Sequence, residues 1–231
     1  MPADDGIGSD LMRFEIDRDG LGAAVIRLSQ LNIRRTDDSF AAYEDDVFRA
    51  IRSQYTLAGL KNDAVFSAYR ELYWSFGMDP TKLRVSSEAL VRRIVKGRNL
   101  WRISNLVDVA NLASARHRLP IGLVDESSLV GALRVRSARP GEVFRRIGGD
   151  ELECRGREIV VADEEKIICF GFATHDSEES KITKDTARAL LIVYVAPDVS
   201  RRLVTSAMDT TCEMVEEWVD CLVSRPAYFF A

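Results

Sequence analysis

Two groupings of residues carry most of the chemistry that this sequence offers. The first is cationic. Lys82, Arg84, Arg92, Arg93, Lys96, Arg98 and Arg102 stand against only Asp79 and Glu88, a local charge of +5 in a chain whose formal total is −4. Such asymmetry concerns partners more than fold, because a positive ridge on a negative molecule attracts phosphate. Arg116 with Arg118, and Arg134 with Arg136 and Arg139, repeat the theme on a smaller scale. Tyr73, Trp74 and Trp101 lie close by in sequence; their rings stack bases if exposed, but core packing is the expectation for each. The second grouping is polar. Asn105, Asp108 and Asn111 recur at intervals of three, which on a helix stacks them along one side. Read by itself, Asp108 is a helix cap or a buried hydrogen-bonding acid.

Other chemistry is hard to find. The chain has no Gly-rich phosphate loop ending in Lys-Ser/Thr, no G-x-S-x-G elbow and no H-E-x-x-H. His175-Asp176-Ser177 holds the letters of a catalytic triad, but consecutive residues do not form a relay, so a loop is expected. His117 sits between Arg116 and Arg118 and is expected in an exposed basic patch, where its neighbours disfavour its protonated form. The four cysteines include no pair at two-residue spacing, and only two histidines are present, so neither a Cys/His zinc site nor any cofactor is expected. A chain of 231 residues, 46% hydrophobic, builds a core without disulfides. The thiols are therefore expected free and mostly buried, with Cys169 inert in a strand. No run approaches the roughly 18 apolar residues of a membrane span. The opening MPADDGIGSD is polar and acidic, unlike a secretory signal or transit peptide. Residues 1–10 are expected to form a disordered tail, residues 11–231 a single domain, and the location to be cytoplasmic.

The elements that must position these residues alternate in type. Strands are expected at residues 13–16 and 23–28, around a Gly/Asp turn. Helices follow at 40–53 and 62–76, the second stopped by Gly77 as a left-handed cap. Asp79-Pro80 starts a turn or short helix. A third helix starts at Ser86 or Ser87. Its Leu90, Val91, Ile94 and Val95 face the core, Arg92, Arg93 and Lys96 the other side, and Gly97 stops it. A helical stretch at 103–115 carries the Asn/Asp triplet. Short strands at 133–137, 142–147, 158–161 and 166–170 then suggest an antiparallel sheet or small barrel. Residues 189–195 (ALLIVYV) read as a central strand, and 199–223 as a long amphipathic helix. One α+β domain is the simplest account.

The segment NLVDVANLASARHRLPIGLVDESSLVGALRVRSARPGE resembles the B3/B4 domain, the editing module of the β subunit of bacterial phenylalanyl-tRNA synthetase. Asn105, Val107, Asp108 and Asn111 match that family's N-x-V-D-V-T-N core. Pro120 and Asp125 match its x-P-x-H-A-F-D stretch, and Gly141-Glu142 its Gly-Glu turn. MDPTKLRVSSEALVRRIVKG, with Arg84, Ser87, Glu88, Arg92 and Arg93, is similar to the pattern that precedes this core in free-standing members. The likeness runs over residues 78–191.

The resemblance implies an α+β B3/B4 fold with a mostly antiparallel sheet flanked by helices. It also implies hydrolysis, by a free-standing domain and not an aminoacylating enzyme, of an amino acid wrongly attached to tRNA. Such a second site is needed because a hydrophobic pocket rejects an isostere bearing one extra hydroxyl only weakly. Ester cleavage then needs a positioned water and donors for the oxyanion. By the resemblance, Asn111 lies by the ester, Ala110 stands where the family has Thr, and Gly122 where it has its His. The acid that reads the substrate hydroxyl falls on Asp176, Glu178 or Glu179. Arg84, Arg92, Arg93 and Lys96 would face the acceptor end of a tRNA. The alternative is a module of the same fold that binds RNA, an amino acid or another small molecule without chemistry; Gly122 in place of His favours it.

Overall fold

A computed structural model describes residues 13–231. The expected disordered tail, residues 1–10, lies outside the described residues. In chain order the elements are β1 (Phe14–Ile16), β2 (Gly22–Ser29), α1 (Asp38–Gln54), α2 (Ala64–Ser75), α3 (Ser86–Val95), α4 (Asn105–His117), β3 (Ile121–Asp125), β4 (Leu133–Ser137), β5 (Pro140–Arg145), β6 (Glu151–Arg155), β7 (Ile159–Ala162), β8 (Ile167–Phe170), β9 (His175–Asp176), β10 (Arg188–Val195), α5 (Arg201–Trp218), β11 (Leu222–Val223) and β12 (Ala227–Phe230). The fold is α+β, as expected.

Helix starts follow from capping chemistry. Asp37, Asp63, Ser104 and Ser200 each accept a hydrogen bond from the backbone N–H three residues on, satisfying one orphan donor of α1, α2, α4 and α5. The exception is α3, whose cap position is Val85 with no side-chain bond. Ser86 and Ser87, expected as its caps, instead bury hydroxyls that find no partner among the described residues. Gly77 and Gly97 take left-handed conformations where the helices before them stop, as the sequence predicts.

The strands form two five-stranded sheets and a two-stranded ribbon. One sheet has the order β1-β4-β7-β8-β9, antiparallel except for the β1–β4 pair. The other runs β11-β2-β10-β3, with β12 also on β2. Here β10 is central, as its apolar run predicts: it pairs with β2 from Arg188 to Val195 and with β3 from Ala189 to Val193. The β5–β6 ribbon joins the first sheet through a bridge between Arg146 and Ser177. Buried apolar residues of both sheets and all five helices make one core.

The expected helix over 199–223 is corrected. It ends at Trp218, and the chain returns as β11 and β12 along the edge of β2. Between them Ser224 replaces ladder contacts: its N–H donates to Arg27 O at 2.9 Å and its hydroxyl accepts from Arg27 N–H at 2.9 Å. Pro226, without an N–H, is tolerated because this is an edge. β3 and β6 were also missed. The IGLVD run of β3 follows helix α4 too closely to show a period of its own, and β6 alternates charged and apolar residues around buried Cys154.

Candidate functional site

β3, β8, β9 and β10 converge on one buried cluster. Gly122 on β3 is fully enclosed, and a Cβ built on it would lie 2.8 Å from Tyr194 Oη and 2.9 Å from the ring. Only a glycine admits so close an approach. Tyr194 is completely buried and stacks on Phe172 with centroids 5.2 Å apart. Its hydroxyl is sealed from solvent beside the Cys169 thiol, and no donor or acceptor among the described residues meets it in hydrogen-bond geometry. Cys169 in turn pairs with Asp176 across β8 and β9. Asp176 Oδ1 is sealed and unpaired, and burial pushes its carboxyl up to about 7. The same burial pushes the Cys169 thiol well above its usual range, which keeps it protonated, the inert role expected of it.

This cluster sits against a left-handed turn. Gly171, Phe172 and Ala173 all have positive φ (64°, 47° and 58°). For Phe and Ala that conformation costs roughly 1–2 kcal/mol each. Surrounding bonds hold it: Ala173 N–H donates to Cys169 Sγ at 3.0 Å, Gly171 N–H to Ile159 O at 2.9 Å, and the Tyr73 hydroxyl of α2 bonds Gly171 O and Thr174.

The Asn/Asp triplet divides. Asn105 accepts from Arg34 N–H at 3.1 Å and donates to Asn32 O at 3.0 Å; Asp108 accepts from Ile103 N–H at 2.8 Å and the Thr36 hydroxyl at 2.9 Å. Both are buried and pin the strap between β2 and α1, so Asp108 is the buried hydrogen-bonding acid that its sequence context suggests. Asn111 is half-buried, with no side-chain hydrogen bond among the described residues. Ala110 is core. Glu178 accepts from Gly148 N–H at 3.0 Å and pairs with Lys181. Glu179 is exposed on a cleft of about 470 Å3 shared with Glu142, Arg145, Glu151, Glu165 and Lys166. Of the expected substrate-site residues, Gly122 and Asp176 therefore meet through Tyr194 and Cys169, whereas Glu178 and Glu179 face elsewhere.

The cationic ridge is also reorganised. Glu88, 4% exposed, is ringed by three guanidiniums: Arg70 of α2 at 2.9 Å, Arg84 at 3.6 Å and Arg92 at 3.7 Å. The i, i+4 pair Glu88–Arg92 thus sits within a larger cage, and Arg84 and Arg92 are only partly exposed. Arg70 also donates to Leu60 O and Lys61 O, tying the turn before α2 to α3. The cations with no acid partner among the described residues are Arg93, half-buried and stacked over Trp101 at 4.1 Å, and the exposed Lys96 and Arg98. Trp74 and Trp101, expected in the core, are 58% and 54% exposed; Tyr73 alone of the three is buried. Arg116 bonds the Tyr43 hydroxyl, Arg118 pairs with Asp63, Arg134 with Glu15, and Arg136 with Glu142. His117 is not in an exposed patch either. Its Nε2 is sealed and unpaired, and burial, helped by Arg116 and Arg118, lowers its pKa to about 4.

The family model of the B3/4 domain matches residues 68–219, well over half of the chain. The chain belongs to the B3/4 domain family. It is similar to phenylalanine–tRNA ligase β subunits from Fusobacterium nucleatum, 25% identical over 122 residues and 52% of the chain, and from Aquifex aeolicus, 35% identical over 99 residues and 41% of the chain. These stretches are only 15% and 13% of those proteins' own lengths. A solved N-terminal fragment of the phenylalanyl-tRNA synthetase β subunit from Pyrococcus horikoshii covers 93% of the chain with 55% of its own, at a TM-score of 0.47 and 11% identity. No helix among the described residues of this B3/4 protein is long and apolar enough to cross a membrane.

Two contributors to the B3/4 cluster escaped sequence reasoning. Tyr194 is hidden in a strand whose every residue reads as core, and Arg70 lies outside the run of cations that it joins. The only signal for either was chemical: a phenol in an aliphatic strand, and an arginine one turn from Phe66 and Tyr73 on its helix.

Proposed function

We propose that this B3/4 protein is a tRNA-binding module that holds RNA without cleaving an aminoacyl ester at the position of Gly122. The observation that carries this reading is the 2.8 Å approach of Tyr194 Oη to the site that a side chain at 122 would need. The His that the family resemblance would put there has no room beside the Tyr194 ring, which stacks on Phe172. The tRNA part rests on the relatives, which are tRNA ligase subunits, and on Arg93, Lys96 and Arg98, which have no acid partner among the described residues. The acceptor end is the part of the tRNA it would hold.

The test is paired. Purified protein should bind tRNA with an affinity that falls as salt rises. A panel of mischarged tRNAs should show no deacylation above a protein-free control. Turnover that Asn111→Ala slows would overturn the non-catalytic reading.

One observation favours a second reading, trans-editing hydrolysis of a mischarged aminoacyl-tRNA. Asp176 is half-buried with its Oδ1 sealed, and its pKa is pushed up to about 7, the range of a general base at neutral pH. If it acts so, Asp176→Asn abolishes any deacylation seen while leaving tRNA binding intact.

A further inference from the structure

We infer that the open face of Trp101 is a stacking platform for an unpaired base of the bound RNA, built into the connection between α3 and α4. The inference rests on the RNA-binding reading above and names where a single strand is held.

The connection is ordered from within. Gly97 turns it in the left-handed conformation, Leu100 anchors it in the core, and Arg93 Nε donates to Asn99 O at 2.6 Å. Ser104 then caps α4. On this fixed segment Trp101 stays 54% exposed and the neighbouring Ile103 59% exposed. Leaving an indole in water forgoes a large hydrophobic gain, so its orientation is not a packing outcome.

The surroundings select the partner. The Arg93 guanidinium covers one face of the indole at 4.1 Å, which holds the ring upright and leaves its other face to solvent. Residues 93–102 hold Arg93, Lys96, Arg98 and Arg102 and no acid. Arg102 answers Glu44 at 2.7 Å, whereas Lys96 and Arg98 are exposed and have no ion-pair partner among the described residues. A π-face bordered by unpaired cations matches a base joined to phosphates. The acids near the segment, Asp37, Asp38 and Glu44, lie on the Arg102–Ile103 side, away from Lys96 and Arg98 in the chain. A duplex buries its base faces, so the ligand is a single strand.

The test compares a fluorescein-labelled single-stranded oligoribonucleotide with the blunt duplex of the same sequence, by anisotropy at low salt. The proteins are the wild type, Trp101→Ala, Trp101→Phe and, as an exposed-tryptophan control, Trp74→Ala. Trp101→Ala should weaken single-strand binding about 5- to 150-fold, the usual range for one stacked base, and leave duplex binding unchanged. Trp101→Phe should retain most of the affinity and Trp74→Ala all of it. Wild-type protein that binds neither RNA refutes the RNA-binding reading, and the platform with it. Wild-type binding that Trp101→Ala leaves intact refutes the platform alone. A wild-type dimer that Trp101→Ala dissociates, with RNA affinity unmoved, assigns the patch to protein contact and likewise overturns the inference.

Discussion

Adding one methyl at Gly122 tests whether the B3/4 pocket is closed. The Cβ of Gly122→Ala would meet Tyr194 Oη at 2.8 Å, Cε2 at 2.9 Å and Cζ at 3.2 Å. Real Cβ contacts rarely fall below about 3.4 Å, so the ring must move by several tenths of an ångström. It has nowhere easy to go, being fully buried, stacked on Phe172, and set on a central strand whose carbonyl at 194 accepts from the Tyr69 hydroxyl at 2.7 Å. Overpacking of this kind costs roughly 1–3 kcal/mol. Tyr194→Phe alone removes a hydroxyl that has no partner, so it should be neutral or stabilising by up to about 1 kcal/mol. In the double variant the 2.8 Å contact vanishes while the 2.9 Å ring contact remains, so about half of the alanine penalty should return as a coupling energy of ~0.5–1.5 kcal/mol. Urea denaturation of the four proteins measures each corner of the cycle. Should Gly122→Ala unfold at the wild-type midpoint, or the cycle show no coupling, Tyr194 does not occupy that space, and the argument against catalysis fails with it.

Other variants follow from the same groups. Asp176 titrates near 7 in the fold, against about 4 in the unfolded chain, so from pH 4 to 7 the folded state holds the extra proton and stability falls as pH rises. Removing that titration with Asp176→Asn should raise stability at pH 8, relative to the wild type and to the same comparison at pH 4, by at most about 4 kcal/mol, read from urea midpoints across pH. His117, its pKa lowered to about 4, acts in the opposite direction, while burial raises Glu44 to about 7 and makes it act with Asp176, so between pH 4.5 and 6.5 the wild type should lose stability and the Asp176→Asn protein should stay nearly level. Glu88→Gln leaves Arg70, Arg84 and Arg92 facing one another without a counter-charge, and should cost about 2–4 kcal/mol, partly recovered in high salt. Asn105→Ala unties two backbone groups of the strap and should cost about 2 kcal/mol in the same assay, with no effect on tRNA binding.

Much of the architecture was legible because it is written in local periodicity. The runs that became α1, α2, α4 and β10 each carry one unbroken pattern, and Gly77 and Gly97 stop helices by the backbone freedom that only glycine supplies. The C-terminal edge was not legible, since the LVSRPAYFF that closes it is joined to an amphipathic helix without a glycine and is split by Ser224-Arg225-Pro226. The candidate site was half legible. Gly122 and Asp176 were named through the family resemblance, Asp176 as one of three acids, yet what lies between them is set by a tyrosine that arrives from a strand some seventy residues along the chain, a tertiary fact with no sequence signature. Exposure failed for Trp101 in the same way: nothing in residues 98–103 announces that an arginine from the preceding helix will prop the indole outward.

Counting basic side chains overstates what the third helix presents to a polyanion. The guanidiniums gathered on Glu88 tie α2 to α3 and to the turn before it, and each already has a carboxylate within 4 Å. What remains for an incoming strand hangs on a short stretch of loop. The counterions displaced on binding should therefore be few, and the logarithm of affinity should fall with that of salt at a slope near −2, about 0.7 for each of three phosphates engaged. Such a shallow dependence suits a grip that is meant to let go.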